Sequence, residues 1–360
     1  MKTRLPTLWP HLLTRLACLV GLSVSSAGAI GADSAVILTY HHVAEETPHS
    51  TSIKPADFAR QMQYLAEGPF AVIDLGEYLE ARRTGAELPD YAVVVTFDDA
   101  YRSVLTTALP ILESHGFPAT VFVATDAVGT NDRLYLTWDE LREMKARGIS
   151  IANHSATHTH LIRLEPGESQ ADWRERITAD ITRAQSAIER ELGDAPSWLA
   201  YPYGEFNKDV QEIVRELGYF GLAQHSGAAG PRSSPLAIPR YAIGGNYTGF
   251  DSFRTKARTL PLPVTSPARE ALDTGVTHEP TLELELAEGN WRIEELACYG
   301  PGGRLPVSVD GTRVTVSALQ PVPVGRSRYN CTMPSMSGRY YWYSQPWFRK
   351  RDDGTWYPES

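Results

Sequence analysis

The stretch Val93-Val94-Val95-Thr96-Phe97-Asp98-Asp99-Ala100-Tyr101 decides how this 360-residue chain is read. Three β-branched apolar residues in succession predict a strand buried on both faces, as in a parallel sheet. Two adjacent carboxylates follow where that strand should end. Successive strand residues face opposite sides, so an Asp pair there marks the point where the chain leaves the sheet. The carboxyl end of a barrel strand is the rim that carries functional loops. Capping of a helix expected over Tyr101–His115 is the structural alternative.

A second anchor lies downstream. Ile149–Asn153 predicts another strand, and it runs into His154-Ser155-Ala156-Thr157-His158-Thr159-His160. His154 and His158 are four apart, a separation at which both imidazoles reach one metal if the segment turns helically. Two His and one carboxylate leave a coordination position open for water, the arrangement of hydrolytic zinc. Zinc is the default for such a set, and nickel, cobalt or iron suit the same ligand types.

These residues carry a resemblance. Thr96-Phe97-Asp98-Asp99, His154-Ser155-Ala156-Thr157-His158 and Ala200-Tyr201-Pro202-Tyr203-Gly204 resemble, in order and spacing, the motifs of the polysaccharide deacetylases of carbohydrate esterase family 4, the NodB-homology enzymes. The similarity extends over roughly residues 35–260, and the three motifs are specific only together. The resemblance implies a distorted (β/α)7 barrel with Asp99, His154 and His158 on a divalent metal and Asp98 as general base. A cation lowers the pKa of water that it binds and polarises a carbonyl, and a backbone N–H near Tyr203 would complete an oxyanion hole. In this family His160 would be structural rather than a third His ligand.

One departure stands out. The usual third motif begins with an Arg that orients the base, and this chain has Ala200 there. Together with Tyr40-His41-His42-Val43 on the first strand, that variant looks more like the poly-N-acetylglucosamine deacetylases of biofilm systems. In that subfamily the general acid maps onto His41. Arg240, in Ile238-Pro239-Arg240-Tyr241, is the candidate for the missing orienting role from sequence order alone. Most family members place the acid in a late Leu-x-His. Here Leu222-Ala223-Gln224-His225 is off by one residue, so His41 ranks above His225.

The ends bound the setting. Lys2, Arg4 and Arg15, the apolar run Leu16–Ser25 and Ala27-Gly28-Ala29 predict a secretory signal peptide over residues 1–29, and that apolar run is too short to span a membrane. Its removal takes away three positive charges and no negative one, moving the net charge from −9 to −12. An acidic chain argues against nucleic acid as a partner, and no motif implies a protein partner. Export, to the periplasm or beyond, makes a Cys298–Cys331 disulfide the expected state of the two remaining cysteines.

Strands alternating with helices over residues 33–262 predict a parallel α/β unit. Phe70–Asp74 and Phe117–Ala124 read as strands, Leu75–Arg83, Asp172–Leu192 and Asn207–Leu217 as helices, and Thr137 with Glu140 as a capping box. A Pro-containing linker over 263–280 leads to a β-rich accessory unit, 281–360, of sandwich-like character. Thr281–Ala287, Arg292–Ala297, Pro306–Val309 and Arg313–Val316 are its expected strands, with Asp310-Gly311 as a hairpin turn. Its aromatic-rich end (Tyr340, Tyr341, Trp342, Tyr343, Trp347, Phe348, Trp356) has one face for a core; the other fits sugar stacking, a partner surface or packing on the barrel. The leading expectation is metal-dependent removal of N-acetyl groups from hexosamine units of a polysaccharide outside the cytoplasm. An O-acetyl esterase, or a glycan-binding protein with an inactive site, are the alternatives.

Overall fold

The computed structural model describes Met1, residues 33–265 and residues 278–358; the expected signal peptide and most of the expected linker lie outside them. The Val93–Val95 run belongs to the strand Ala92–Phe97, every residue of which is buried. It sits inside a parallel sheet whose order across is Tyr241–Ala242, Ala35–Tyr40, Ala92–Phe97, Thr120–Val123, Ser150–Asn153, Trp198–Ala200 and Phe220–Leu222. Ala71–Val72 adds to Ala92–Phe97 at its amino end. Helices between the strands cover the outer surface with apolar stripes. Phe58, Met62 and Leu65 of Pro55–Glu67 and Trp173, Ile177, Ile181 and Ile188 of Gln170–Leu192 are buried. Thr137 and Glu140 form the reciprocal capping box of Trp138–Ala146, and Trp138 packs against the sheet's core.

The sheet curls. Beyond Phe220–Leu222 the chain returns as Ile238–Ala242: Ile238 bridges to Leu222 on one side, while Tyr241 and Ala242 pair with Leu38 and Thr39 on the other. This short segment spans the gap between the two edge strands, which sets Arg240 in its middle.

Local departures from the sequence reading have physical causes. The expected Tyr101–His115 helix opens with a wide π-type turn, Val104–Ala108, before the α-helix Leu109–Ser114. Pro110 has no N–H to give the ladder there, and π-turns absorb such irregularities. His154–His158 is not helical. Ser155 and His158 both have left-handed backbone (φ 63° and 56°), so a tight irregular loop brings the two imidazoles together.

The remaining strands are mostly antiparallel. Leu260–Pro261, Tyr340–Arg349, Gly325–Pro334, Ala297–Gly300 and Gly303–Arg304 form one sheet, and Leu282–Glu285, Arg313–Val316 and Val307–Asp310 another. Residues 293–295 form a 3-10 turn where a strand was expected. The hairpin turn falls at Gly311 and Thr312, with Asp310 paired to Arg313. Cys298 and Cys331 are direct cross-strand partners, fully buried and joined by a disulfide. Tyr341, Trp347 and Phe348 point into cores, Trp342 and Tyr343 are half-buried, and Tyr340 stays exposed. Leu260–Pro261, at the expected end of the first unit, pairs with Tyr341–Trp342 of the second.

Candidate active site

Asp98 continues the sheet: its N–H donates to the Tyr40 carbonyl at 2.9 Å. Asp99 and Ala100 then adopt left-handed backbone (φ 71° and 54°) and turn the chain off the strand. Asp98 is fully buried, which for a lone carboxylate is costly. The compensation comes from Arg240, equally buried, which donates Nη1 to Oδ1 and Nη2 to Oδ2, both at 2.8 Å. Arg240 is itself fixed by Nε–H to the Ala223 carbonyl (2.9 Å) and Nη1 to Thr96 Oγ1 (3.1 Å). Gln224 Nε2 adds a third donor to Asp98 Oδ2 at 3.1 Å. Burial is the largest influence and pushes the Asp98 carboxyl up, but the nearby positive charge, Arg240 foremost, and the Arg240 hydrogen bonds together outweigh it, so the group stays below the ordinary carboxylate range.

Asp99 faces a pair of imidazoles. Its Oδ1 lies 3.2 Å from His154 Nε2 and 3.1 Å from His158 Nε2. Nδ1 of His154 donates to the Ala200 carbonyl at 2.8 Å, which fixes the tautomer and turns the Nε2 lone pair inward. Buried Asp99 Oδ1 and His154 Nε2 have no hydrogen-bond partner, although they face one another. Unpartnered buried polar atoms demand an explanation, and a cation between them supplies it: one ligand atom from each of Asp99, His154 and His158 lies within 4.8 Å of the others. The residue set fits a divalent metal. It is the only such cluster of three among the described residues.

The loop that carries the histidines is built, not floppy. Asn153 Oδ1 accepts the Ser155 N–H (2.8 Å), and Ser155 Oγ accepts the His158 N–H (3.1 Å). Asp180, on the helix Gln170–Leu192, accepts from Ala156 N (3.3 Å) and Thr157 N (3.2 Å). A polar groove of about 610 Å³ opens beside this loop, lined among others by Thr157, Thr159, His160, Arg176, Arg183 and Tyr203.

The other sequence candidates separate. Tyr203 has left-handed backbone (φ 60°) in the Pro202–Gly204 turn, and its ring meets that of His158 at 4.6 Å. His41 is half-buried and directly follows the strand Ala35–Tyr40, next to Ala92–Phe97 in the sheet. His42 instead stacks on Tyr101 at 3.5 Å, and burial pushes it down to about 4, so it is neutral packing. His225 lines a separate cavity of about 500 Å³ with Phe206, Trp291 and Trp342, to which none of Asp98, Asp99, His154 and His158 contributes. Its Nδ1 is buried without a partner, and burial pushes its pKa down to about 3. His160 is paired through Nδ1 with Glu205 Oε2 at 2.7 Å and stacks on Tyr203 at 3.8 Å.

Three residues escaped the sequence reading. Gln224 stands there only as the spacer before His225, Asp180 only as one residue of the expected Asp172–Leu192 helix, and Glu205 does not enter it. A carboxylate directly after the third motif was the one available signal for Glu205.

Known proteins are similar to this chain over the part that carries the site. Residues 85–221 match the family profile described as polysaccharide deacetylase. A poly-beta-1,6-N-acetyl-D-glucosamine N-deacetylase of Escherichia coli (strain K12) is 27% identical over 246 residues, covering 59% of this chain and 37% of that protein. One of Staphylococcus aureus (strain COL) is 25% identical over 254 residues, covering 63% of this chain and 86% of its own. The chain thus spans little over a third of the first relative's length. The solved structure of the Streptococcus pyogenes deacetylase PplD in complex with acetate superposes with a TM-score of 0.53 at 26% identity, over 60% of this chain and 94% of that one. His41, Gln224 and Arg240 fall outside the matched 85–221, while Asp98, Asp99, His154, His158 and Tyr203 fall within this stretch that is similar to polysaccharide deacetylases.

Proposed function

We propose that this chain is a metal-dependent hydrolase that removes acetyl groups from N-acetylated hexosamine units of a polysaccharide outside the cytoplasm. One observation carries the reading: a fully buried, Arg240-clamped Asp98 stands next in sequence to Asp99, whose carboxylate meets His154 and His158. The relatives' names point to the same chemistry. Asp99, His154 and His158 would hold the cation, zinc by default. When bound, it supplies Lewis-acid polarisation of the acetyl carbonyl and water that deprotonates near neutral pH.

The chain's own residues do the rest. Arg240 and Gln224 hold Asp98 ionised and oriented, so one of its oxygens can take a proton from the attacking water. His41 gives a proton to the amine as the C–N bond breaks, leaving acetate and a free amino group. The Tyr203 backbone N–H stabilises the oxyanion. The groove beside Thr157 and Tyr203 is where neighbouring sugars lie. The (β/α)7 barrel spans 33–262 and a β-rich unit follows the 263–280 linker. Among the described residues no helix is long and apolar enough to cross a membrane.

The test is acetate release from partially N-acetylated β-linked hexosamine oligomers. Release that stops with chelator, returns with added zinc and is absent in Asp98→Asn is expected. Release of acetate from acetylated xylan alone would replace this reading with an O-acetyl esterase.

A further inference from the structure

We infer that the C-terminal strands and tail complete the active site, with Tyr357 and Arg326 as positioning residues that act through Glu205 and His160 on the Tyr203 turn. The effect on rate rests on the deacetylase reading; the coupling itself rests on geometry alone.

Glu205 is the centre. It directly follows the Pro202–Gly204 turn, and its carboxylate is fully buried. A buried carboxylate persists only where its lone pairs are filled. Here the donors come from three distant parts of the chain: His160 Nδ1 at 2.7 Å, Arg163 Nη2 at 3.4 Å, Arg326 Nη1 at 3.4 Å, and the Tyr357 hydroxyl in a short hydrogen bond. Arg163 Nη1 also donates to the Tyr357 carbonyl (2.9 Å), so Tyr357 is tied at both ends. Phe348 packs near Phe206 in the same layer.

What this network holds is Tyr203. A non-glycine residue at φ 60° stays there only when its surroundings over-determine it. Its ring is stacked by His160 (3.8 Å, 13°), faced by the Arg326 guanidinium (5.5 Å) and set edge-on to His158 (4.6 Å, 62°). Glu205 fixes His160, His160 lies flat on Tyr203, and Tyr203 abuts a candidate metal ligand. The hydroxyl of Tyr357 is therefore three side chains away from His158's immediate neighbour, along an unbroken run of contacts. Plain packing between the two sheets would need none of this polarity.

Tyr357→Phe, which removes one hydroxyl, and Arg326→Met separate the two cases. The readouts are the ring resonance of His158 in the full chain carrying 13C-labelled histidine, assigned with His158→Gln, and steady-state acetate release. Ring-current shifts report where the Tyr203 ring sits, with or without metal. The expected result is a moved His158 resonance in both variants, with kcat reduced about tenfold and KM within about twofold of the parent. Val316→Ala, in the distant three-stranded sheet, is the control for general destabilisation and should leave the resonance in place. An unmoved His158 resonance in both variants overturns the proposal whatever the rate. A moved resonance with unchanged kcat, or a change in KM alone, overturns the positioning role. Absence of acetate release by the parent chain would defeat the deacetylase reading only, and the resonance would still decide the coupling.

Discussion

Replacing Arg240 by Met should destabilise the protein far more than any surface change, and the structure gives the size. The guanidinium and the Asp98 carboxylate are both fully buried, and two 2.8 Å hydrogen bonds join them. Met fills much of the volume but leaves an uncompensated buried charge, which costs about 3–5 kcal/mol. The Gln224 amide remains on Asp98 Oδ2 at 3.1 Å, so the lower half of that range is expected. A loss of roughly 3–4 kcal/mol lowers the melting temperature of a domain of this size by about 6–16 °C. The decisive step is the double variant. Asp98→Asn combined with Arg240→Met removes both charges, and should be more stable than Arg240→Met alone by roughly 1–3 kcal/mol, because the buried charge, not the lost contact, dominates the cost. Urea denaturation of chelator-treated protein measures all four corners of the cycle without interference from metal binding. A cost below about 1 kcal/mol for Arg240→Met, or strictly additive losses in the double variant, would refute the argument that this pair is a charge held against burial.

Serine at both Cys298 and Cys331 should lower stability by roughly 3–4 kcal/mol, the loop-closure value for a sequence separation of 33; equal urea midpoints for oxidised and serine proteins would contradict it. His225 has its pKa pushed down to about 3 in the fold, so between pH 6.5 and that value the unfolded chain binds the extra proton and stability falls on acidification. His225→Leu should therefore lose roughly 2 kcal/mol less than the parent between pH 6.5 and 4.5, and parallel stability profiles would sink this. At Gly204 (φ +67°) an added Cβ would meet Gln224 Cβ at 2.6 Å, so Gly204→Ala should push Gln224 off Asp98, costing roughly 1–3 kcal/mol in stability as well as turnover. An unchanged melting temperature would refute the close approach.

The parallel unit was legible because its signals are local and repeated. Buried runs such as Val93–Val95, the Phe58/Met62/Leu65 stripe and the Thr137–Glu140 box each report one element's environment. What composition could not give was the return segment Ile238–Ala242. Only two residues of it pair as a strand, and Pro239 interrupts its pattern, so it reads as loop. The spacing of His154 and His158 left the form of their segment open for a related reason. Four-residue spacing is shared by a helix and by a loop with left-handed residues, and sequence does not show φ at Ser155.

That return segment explains why the site was only partly legible. Asp98, Asp99, His154 and His158 sit where strands end, and a strand end can be read from its own run of residues. Arg240 and Gln224 reach the site only because the sheet curls until its edges face each other: Ile238 meets Leu222, Tyr241 meets Leu38, and Arg240 between them points at Thr96 and Asp98. The same curl resolves the off-by-one at Leu222-Ala223-Gln224-His225. Successive extended residues alternate in direction, so the position that reaches Asp98 is filled by Gln224, while His225 is sent into the neighbouring cavity beside Phe206 and Trp342. A glutamine there can hold a carboxylate but cannot deliver a proton at neutral pH. If an imidazole is needed to protonate the departing amine, the half-buried His41 that follows Ala35–Tyr40 is the candidate that remains, as proposed above.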